Sequence, residues 1–133
     1  PLPALATRDA VLPFVAPLAA ATDGLAALVA AQPARFTAAD RLQDVPTEKS
    51  RALVAAFDAD AEKRAAFLAG FDGGEAEVDR TDGLRMTLTD GRIVHLRPSG
   101  NAPELRLYAE ADSVDAAQQV LATGLAALAK ALN

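Results

Sequence analysis

The sequence predicts an α+β fold, a sheet of about four antiparallel strands with helices packed on one face, preceded by an N-terminal helical segment. Three observations lead there. Residues 112–132 carry one apolar stripe at three- and four-residue steps. Residues 75–110 instead alternate between apolar and polar, residue by residue. The strands in that stretch follow one another with no helix between them, which is how neighbouring antiparallel strands are usually ordered.

The elements follow in chain order. The first 31 residues are mostly Ala, Leu, Val and Pro. Pro3, Pro13, Pro17 and Asp23-Gly24 break this apolar run, so it is no membrane span. The start has no basic stretch of the kind that opens a signal peptide. A polar stretch, Gln32 to Lys49, comes next. Two short helices are expected over 47–57 and 59–70. Thr47, between Pro46 and Glu48, is the expected N-cap of the first, with Leu53, Val54 and Phe57 on its buried side. Asp58 or Asp60 caps the second, and Ala61, Ala65, Phe67 and Leu68 face inward. Gly70 and the Asp72-Gly73-Gly74 turn end it.

A first strand is expected over Ala76 to Arg80. In the next, Leu84, Met86 and Leu88 point one way and Arg85, Thr87 and Thr89 the other. The partner strand runs from Arg92 to Arg97, and the loop between them sets the register. A two-residue Asp90-Gly91 turn pairs Met86 with His95 and puts His95 and Arg97 on the apolar face. A three-residue loop, Thr89-Asp90-Gly91 with Gly91 left-handed, pairs Met86 with Val94 and Leu84 with Leu96. One residue of slip flips every side chain, so the three-residue loop is the one expected. A last strand, Glu104 to Glu110, sends Leu105, Leu107 and Ala109 inward and Arg106 and Tyr108 outward. The closing helix has its stripe in Val114, Ala117, Leu121, Leu125, Leu128 and Leu132, a cap in Asp112 or Ser113, and Lys130 at its negative end. Gly124 marks either close packing on the sheet or a tolerated neutral position.

Composition narrows the function classes. Of 133 residues, 51% are hydrophobic, which excludes a disordered chain. With 13 Lys+Arg against 18 Asp+Glu the net charge is -5, which argues against a general nucleic-acid binder or a basic membrane-surface protein. The absence of Cys removes disulfides, thiolate zinc sites and a cysteine nucleophile. No catalytic residue and no metal-ligand spacing stands out. The acidic group Asp72, Glu75, Glu77, Asp79 and Asp82 does not fit a calcium loop and reads as a solvated turn. Ser50 and Ser113 look like ordinary helix residues, and no Gly-rich dinucleotide fingerprint is present.

The most unusual stretch is Arg97-Pro98-Ser99-Gly100-Asn101-Ala102-Pro103. Pro98 fixes the backbone, Gly100 permits close approach, and Ser99 and Asn101 add short polar groups. Successive backbone N–H groups in such a turn make an anion-binding concavity, and Arg97 adds a planar fork that matches phosphate. A tight structural connection with a solvated arginine explains the same residues. His95, two residues before Arg97, projects from the same side; it is a further anion contact when protonated, an acid or base, or a polar surface residue.

Residues 97–106, read with Asp82-Gly83-Leu84-Arg85 before them and Leu107-Tyr108-Ala109-Glu110 after, resemble the phosphate-binding loop of the α-D-phosphohexomutases, which include the phosphomannomutases and phosphoglucomutases. The common family form has Thr-Glu where Asn101-Ala102 stand; Asn-Ala resembles a bacterial phosphomannomutase variant. The resemblance covers residues 75–130 well. It implies the family's fourth domain, a sheet with helices on one face similar to the TATA-binding-protein fold. Residues 1–40 then correspond to the end of the third domain and a hinge, and 41–133 to the C-terminal phosphate-binding domain.

The resemblance also implies a role. Arg97, Ser99, Gly100 and Asn101 would contact the phosphate of the hexose phosphate that is not being transferred, with His95 and Arg106 as secondary contacts. The phosphoserine, magnesium and sugar-binding loops of the family are not found in this sequence. The expectation is therefore a C-terminal part of a cytoplasmic phosphohexomutase, inactive alone, whose full-length form uses Mg2+ and a hexose 1,6-bisphosphate. Its partners would be the hexose phosphate substrate and the N-terminal domains, with no nucleic acid and no membrane. The rival expectations are a stand-alone small-ligand module and an interaction domain that uses the apolar first 31 residues.

Overall fold

The computed structural model describes residues 10–132. It divides into two compact units, one ending at Ala34 and the other beginning at Arg35. In the first, α1 (Leu12–Ala20) and α2 (Leu25–Ala30) are short helices joined by a turn at Thr22 to Gly24. Pro13 stands where a helix start tolerates proline, because the missing N–H has no partner there in any case.

The second unit runs β1 (Phe36–Gln43), α3 (Thr47–Ala59), α4 (Ala61–Leu68), a 3-10 turn (Ala69–Phe71), β2 (Glu75–Asp79), β3 (Leu84–Leu88), β4 (Ile93–Pro98), β5 (Glu104–Ala111) and α5 (Val114–Leu132). The five strands form one antiparallel sheet in the order β1-β5-β4-β3-β2. The predicted α+β class and the consecutive β2 to β5 order hold. The count of about four strands is corrected to five. The extra strand, β1, occupies residues that the sequence reading gives to the polar stretch and hinge. Only Ala38 in it is buried, so it has little hydrophobic alternation to detect. Pairing with β5, from Phe36 opposite Ala111 to Gln43 opposite Glu104, makes it a strand.

The β3–β4 hairpin has the three-residue loop. Met86 faces Val94 and Leu84 faces Leu96. The Leu88 N–H donates to the Arg92 carbonyl at 2.8 Å, and Gly91 is left-handed at φ +84°. Leu84, Met86, Val94, Leu96, Leu105 and Leu107 all sit at 1% exposure or less, and they form the core with Phe57, Phe67, Leu68, Phe71, Val120 and Leu128 from the helical layer. Gly124 is a close-packing position. A Cβ built there would lie 2.4 Å from Leu107 Cδ1 and 3.4 Å from Phe71 Cζ, so its small size lets α5 approach the sheet.

The caps resolve too. The Asp60 carboxylate accepts the N–H groups of Glu62 and Lys63 at 3.0 and 3.2 Å, and Ser113 Oγ accepts that of Ala116 at 3.2 Å. Thr47 is the first residue of α3 rather than its cap; Pro46 holds the N-cap place with no side-chain bond. Ala61 and Ala65 are exposed, against expectation, and Arg64 is buried in their stead. Its guanidinium is fully engaged. Nε and Nη2 donate to the Glu75 carboxylate at 2.6 and 3.0 Å, and Nη1 donates to the carbonyls of Phe57 and Asp58 at 2.8 and 2.9 Å. A satisfied arginine can thus occupy the inner side of a helix, while two alanines contribute too little apolar area to demand it.

Candidate phosphate-binding site

Alternation along β4 and β5 sends one set of side chains into the core and the other to the face without helices. That open face carries His95 and Arg97 from β4, and Glu104, Arg106, Tyr108 and Glu110 from β5. The predicted outward direction of His95, Arg97, Arg106 and Tyr108 is the observed one.

The loop after β4 is held by its own groups. The Ser99 N–H donates to the Glu104 carbonyl at 3.0 Å and the Glu104 N–H donates to the Ala102 carbonyl at 2.8 Å, closing the hairpin. Ser99 is 4% exposed. Its hydroxyl oxygen accepts the N–H groups of Asn101 at 3.4 Å and Ala102 at 3.2 Å, so it shapes the turn from inside. The Val45 N–H, just past β1, donates to the Pro103 carbonyl at 3.0 Å and ties down the far end of the loop. Gly100 is exposed, and a Cβ placed on it would meet nothing within 4 Å. Nothing among the described residues therefore requires glycine there.

Arg97 is anchored from the neighbouring hairpin. Its Nε lies 3.0 Å from the Asp82 carboxylate. The same residue's carbonyl accepts a hydrogen bond from His95 Nε2, which fixes that nitrogen as the protonated one because a carbonyl only accepts. The His95 ring also packs against Tyr108, with centroids 5.5 Å apart. His95 is thus already engaged on two sides. Asp82 can make both contacts because Gly83 follows it. Gly83 has φ +87°, and a Cβ there would fall 2.4 Å from the Leu96 carbonyl oxygen.

The cations of the open face include Arg85 of β3, opposite His95 and 3.4 Å from the Glu110 carboxylate, and Arg41, which sequence reasoning missed. Arg41 of β1 stands directly opposite Arg106, which stands directly opposite Arg97. The only signal for it was the β1–β5 register, which the sequence does not display. Glu104 lies between two of these arginines, with Arg41 Nε at 3.0 Å from one carboxylate oxygen and Arg106 Nη2 at 3.4 Å from the other. A hydrogen bond with Tyr108, ahead of the Glu104 contribution, raises the already high Arg106 pKa. Among the described residues no group of three or more His, Asp or Glu could hold a metal ion, and no helix is long and apolar enough to cross a membrane.

A helix-backed antiparallel sheet with a hairpin loop and a row of arginines on its open face defines an α+β domain suited to an anionic ligand. Residues 29–125 match the family described as the phosphoglucomutase/phosphomannomutase C-terminal domain, and the chain belongs to that family. It is 46% identical to a phosphomannomutase of Sinorhizobium fredii (strain NBRC 101917 / NGR234) over 130 residues, and 44% identical to a phosphomannomutase of Salmonella muenchen over 126 residues. These matches cover 96% and 93% of this chain but 27% and 26% of the relatives, so the chain spans about a quarter of their length.

Proposed function

We propose that this chain is the phosphate-gripping C-terminal domain of a phosphohexomutase, an enzyme that moves a phosphoryl group between positions 6 and 1 of a hexose phosphate. The loop of residues 97–103 grips the phosphate that stays in place while the other reacts. The carrying observation is the geometry around Arg97. Asp82 holds its Nε, and its terminal nitrogens make no bond among the described residues, so they are available to a phosphate in two-point contact. Ser99 supports the reading from beneath by shaping the turn at Gly100 and Asn101. Gly100, unconstrained by its own chain, leaves room for a ligand to approach the backbone.

Binding energy at this remote phosphate would be used to orient the reacting one, and the domain would close over the ligand to exclude water. The transferring group, the Mg2+ and the hexose 1,6-bisphosphate belong to the rest of the enzyme in this reading, so the chain alone does not turn over substrate.

The test is a titration of the chain with inorganic phosphate and with a hexose phosphate, followed on backbone amide resonances. Ser99, Gly100 and Asn101 should shift and saturate; a response confined to distant residues defeats the assignment. Gly100→Ala should leave stability within about 0.5 kcal/mol of wild type while weakening the response. In a full-length enzyme, Arg97→Ala should raise KM and lower kcat, and an unchanged kcat/KM would count against the proposed grip.

A further inference from the structure

The row Arg41–Arg106–Arg97 is the feature that the loop reading does not absorb. Three arginines stand in direct cross-strand register on β1, β5 and β4. Like charges placed opposite one another in a sheet are unfavourable, so such a row calls for a counter-charge. The supply is uneven. Arg97 has Asp82 to itself, whereas Arg41 and Arg106 share the single carboxylate of Glu104. Two cations therefore draw on one anion. Arg41 and Arg106 line an open cavity of about 270 Å³ together with Ala39, Asp40 and Tyr108. Asp40 sits at the rim, where its carboxylate accepts the Arg41 backbone N–H at 2.8 Å. Among the described residues, Glu104 is the only ion-pair partner of Arg41, reached through Nε, which leaves both terminal nitrogens of Arg41 without a bond.

We propose that Arg41 and Arg106, with the Tyr108 hydroxyl beside them, form a second anion subsite that takes a phosphate group. The site lies on the open face, one strand over from Arg97. Strands are spaced about 4.8 Å apart, so Arg41 stands roughly 10 Å from Arg97 across the sheet. Arg106 stands between them, one strand spacing from each, so a phosphate on the Arg41 side of Arg106 lies apart from one held by Arg97. The subsite extends the loop reading but does not depend on it, because its residues and its charge imbalance are on β1 and β5.

The chemistry accommodates two sources of phosphate: a second phosphate on the molecule held by the loop, or an independent anion. The experiment follows the Nε–H resonances of Arg41, Arg106 and Arg97, together with the Ser99 to Asn101 amides, during titration with inorganic phosphate and then with a hexose 1,6-bisphosphate. Chloride at matched ionic strength is the control. The Arg41 and Arg106 signals should move along one saturation curve with phosphate and not with chloride. Arg41→Ala should weaken that curve at least several-fold while the loop amides still respond. Glu104→Gln, which frees both guanidiniums, should tighten it.

A bisphosphate that saturates both sets of signals at one molecule per chain assigns the subsite to the same ligand; two per chain assigns it to a separate anion. Arg41 and Arg106 signals that follow chloride as well as phosphate, or an Arg41→Ala variant with an unchanged curve, would overturn the subsite. Silent loop amides with responsive Arg41 and Arg106 would overturn the loop reading and leave the subsite standing.

Discussion

Gly83 permits a quantitative test of how the Asp82 turn is built, with Gly91 as its control. Both are left-handed, at φ +87° and +84°, so alanine at either position incurs the conformational cost of about 1–2 kcal/mol. They differ in what a side chain would meet. At Gly91 nothing lies within 4 Å, while at Gly83 the new Cβ falls 2.4 Å from the Leu96 carbonyl oxygen and 3.3 Å from Arg97 Cα. These are main-chain atoms of β4, inside the sheet, so no side-chain rotation relieves the collision. Overpacking of this kind adds about 1–3 kcal/mol. Gly91→Ala should therefore destabilise by about 1–2 kcal/mol and Gly83→Ala by about 2–5 kcal/mol. For a domain near 100 residues, each kcal/mol is worth about 4–8 °C in Tm. The assay is thermal and urea unfolding of both variants, read by circular dichroism. Gly83→Ala should also shift the Arg97 resonances, because the turn presents Asp82 to Arg97. Equal losses at the two positions would refute the collision argument.

Three other outcomes are expected. Gly124→Ala gains about 1 kcal/mol of helix propensity but drives a methyl into buried Leu107, so urea unfolding should show a net loss. Glu75→Gln leaves the Arg64 guanidinium without its counter-charge and should cost about 2–3 kcal/mol, discounted for the partial exposure of Glu75; the double variant Arg64→Met with Glu75→Leu should recover much of it. The carboxyls of Asp60, Asp79 and Asp90 lie below their usual pKa, held there chiefly by hydrogen bonds from the Lys63 backbone, Thr81 and the Arg92 backbone respectively. A depressed carboxyl stabilises above its unfolded pKa of about 3.9, and that contribution disappears as pH falls through the folded value. The urea midpoint should thus be level above about pH 5 and drop below about pH 4, and Asp90→Asn should make the drop shallower.

Much of the second unit is legible because its determinants are local. The apolar alternation of Leu84 and Met86 with Val94 and Leu96 settles a register, and the caps Ser113 and Asp60 are each one of two adjacent or near-adjacent candidates in the sequence. What stays hidden depends on contacts distant in the chain. β1 is a strand because β5 offers it hydrogen bonds, and its own residues bury only Ala38. Arg41 was invisible for the same reason. The burial of Arg64 depends on Glu75 and on two carbonyls of the preceding helix that receive its guanidinium. The loop of residues 97–103 stood out by composition, yet the burial of Ser99 and its inward hydrogen bonds were not readable from residue types alone.

The edge position of β1 bears on how the domain comes together. Strands β2 to β5 are linked in series by short turns, so their pairing needs only small loop closures. β1 precedes them all and pairs with the last, Phe36 meeting Ala111 and Gln43 meeting Glu104, so its docking must wait for β5. Until it docks, β5 presents a bare row of N–H and C=O groups to any other chain. A polypeptide begun at residue 41 would lose most of that cover, whereas one begun at Arg35 keeps it. β1 thus takes over the edge position from β5, and Arg41 takes its place opposite Arg106 only once β1 has docked.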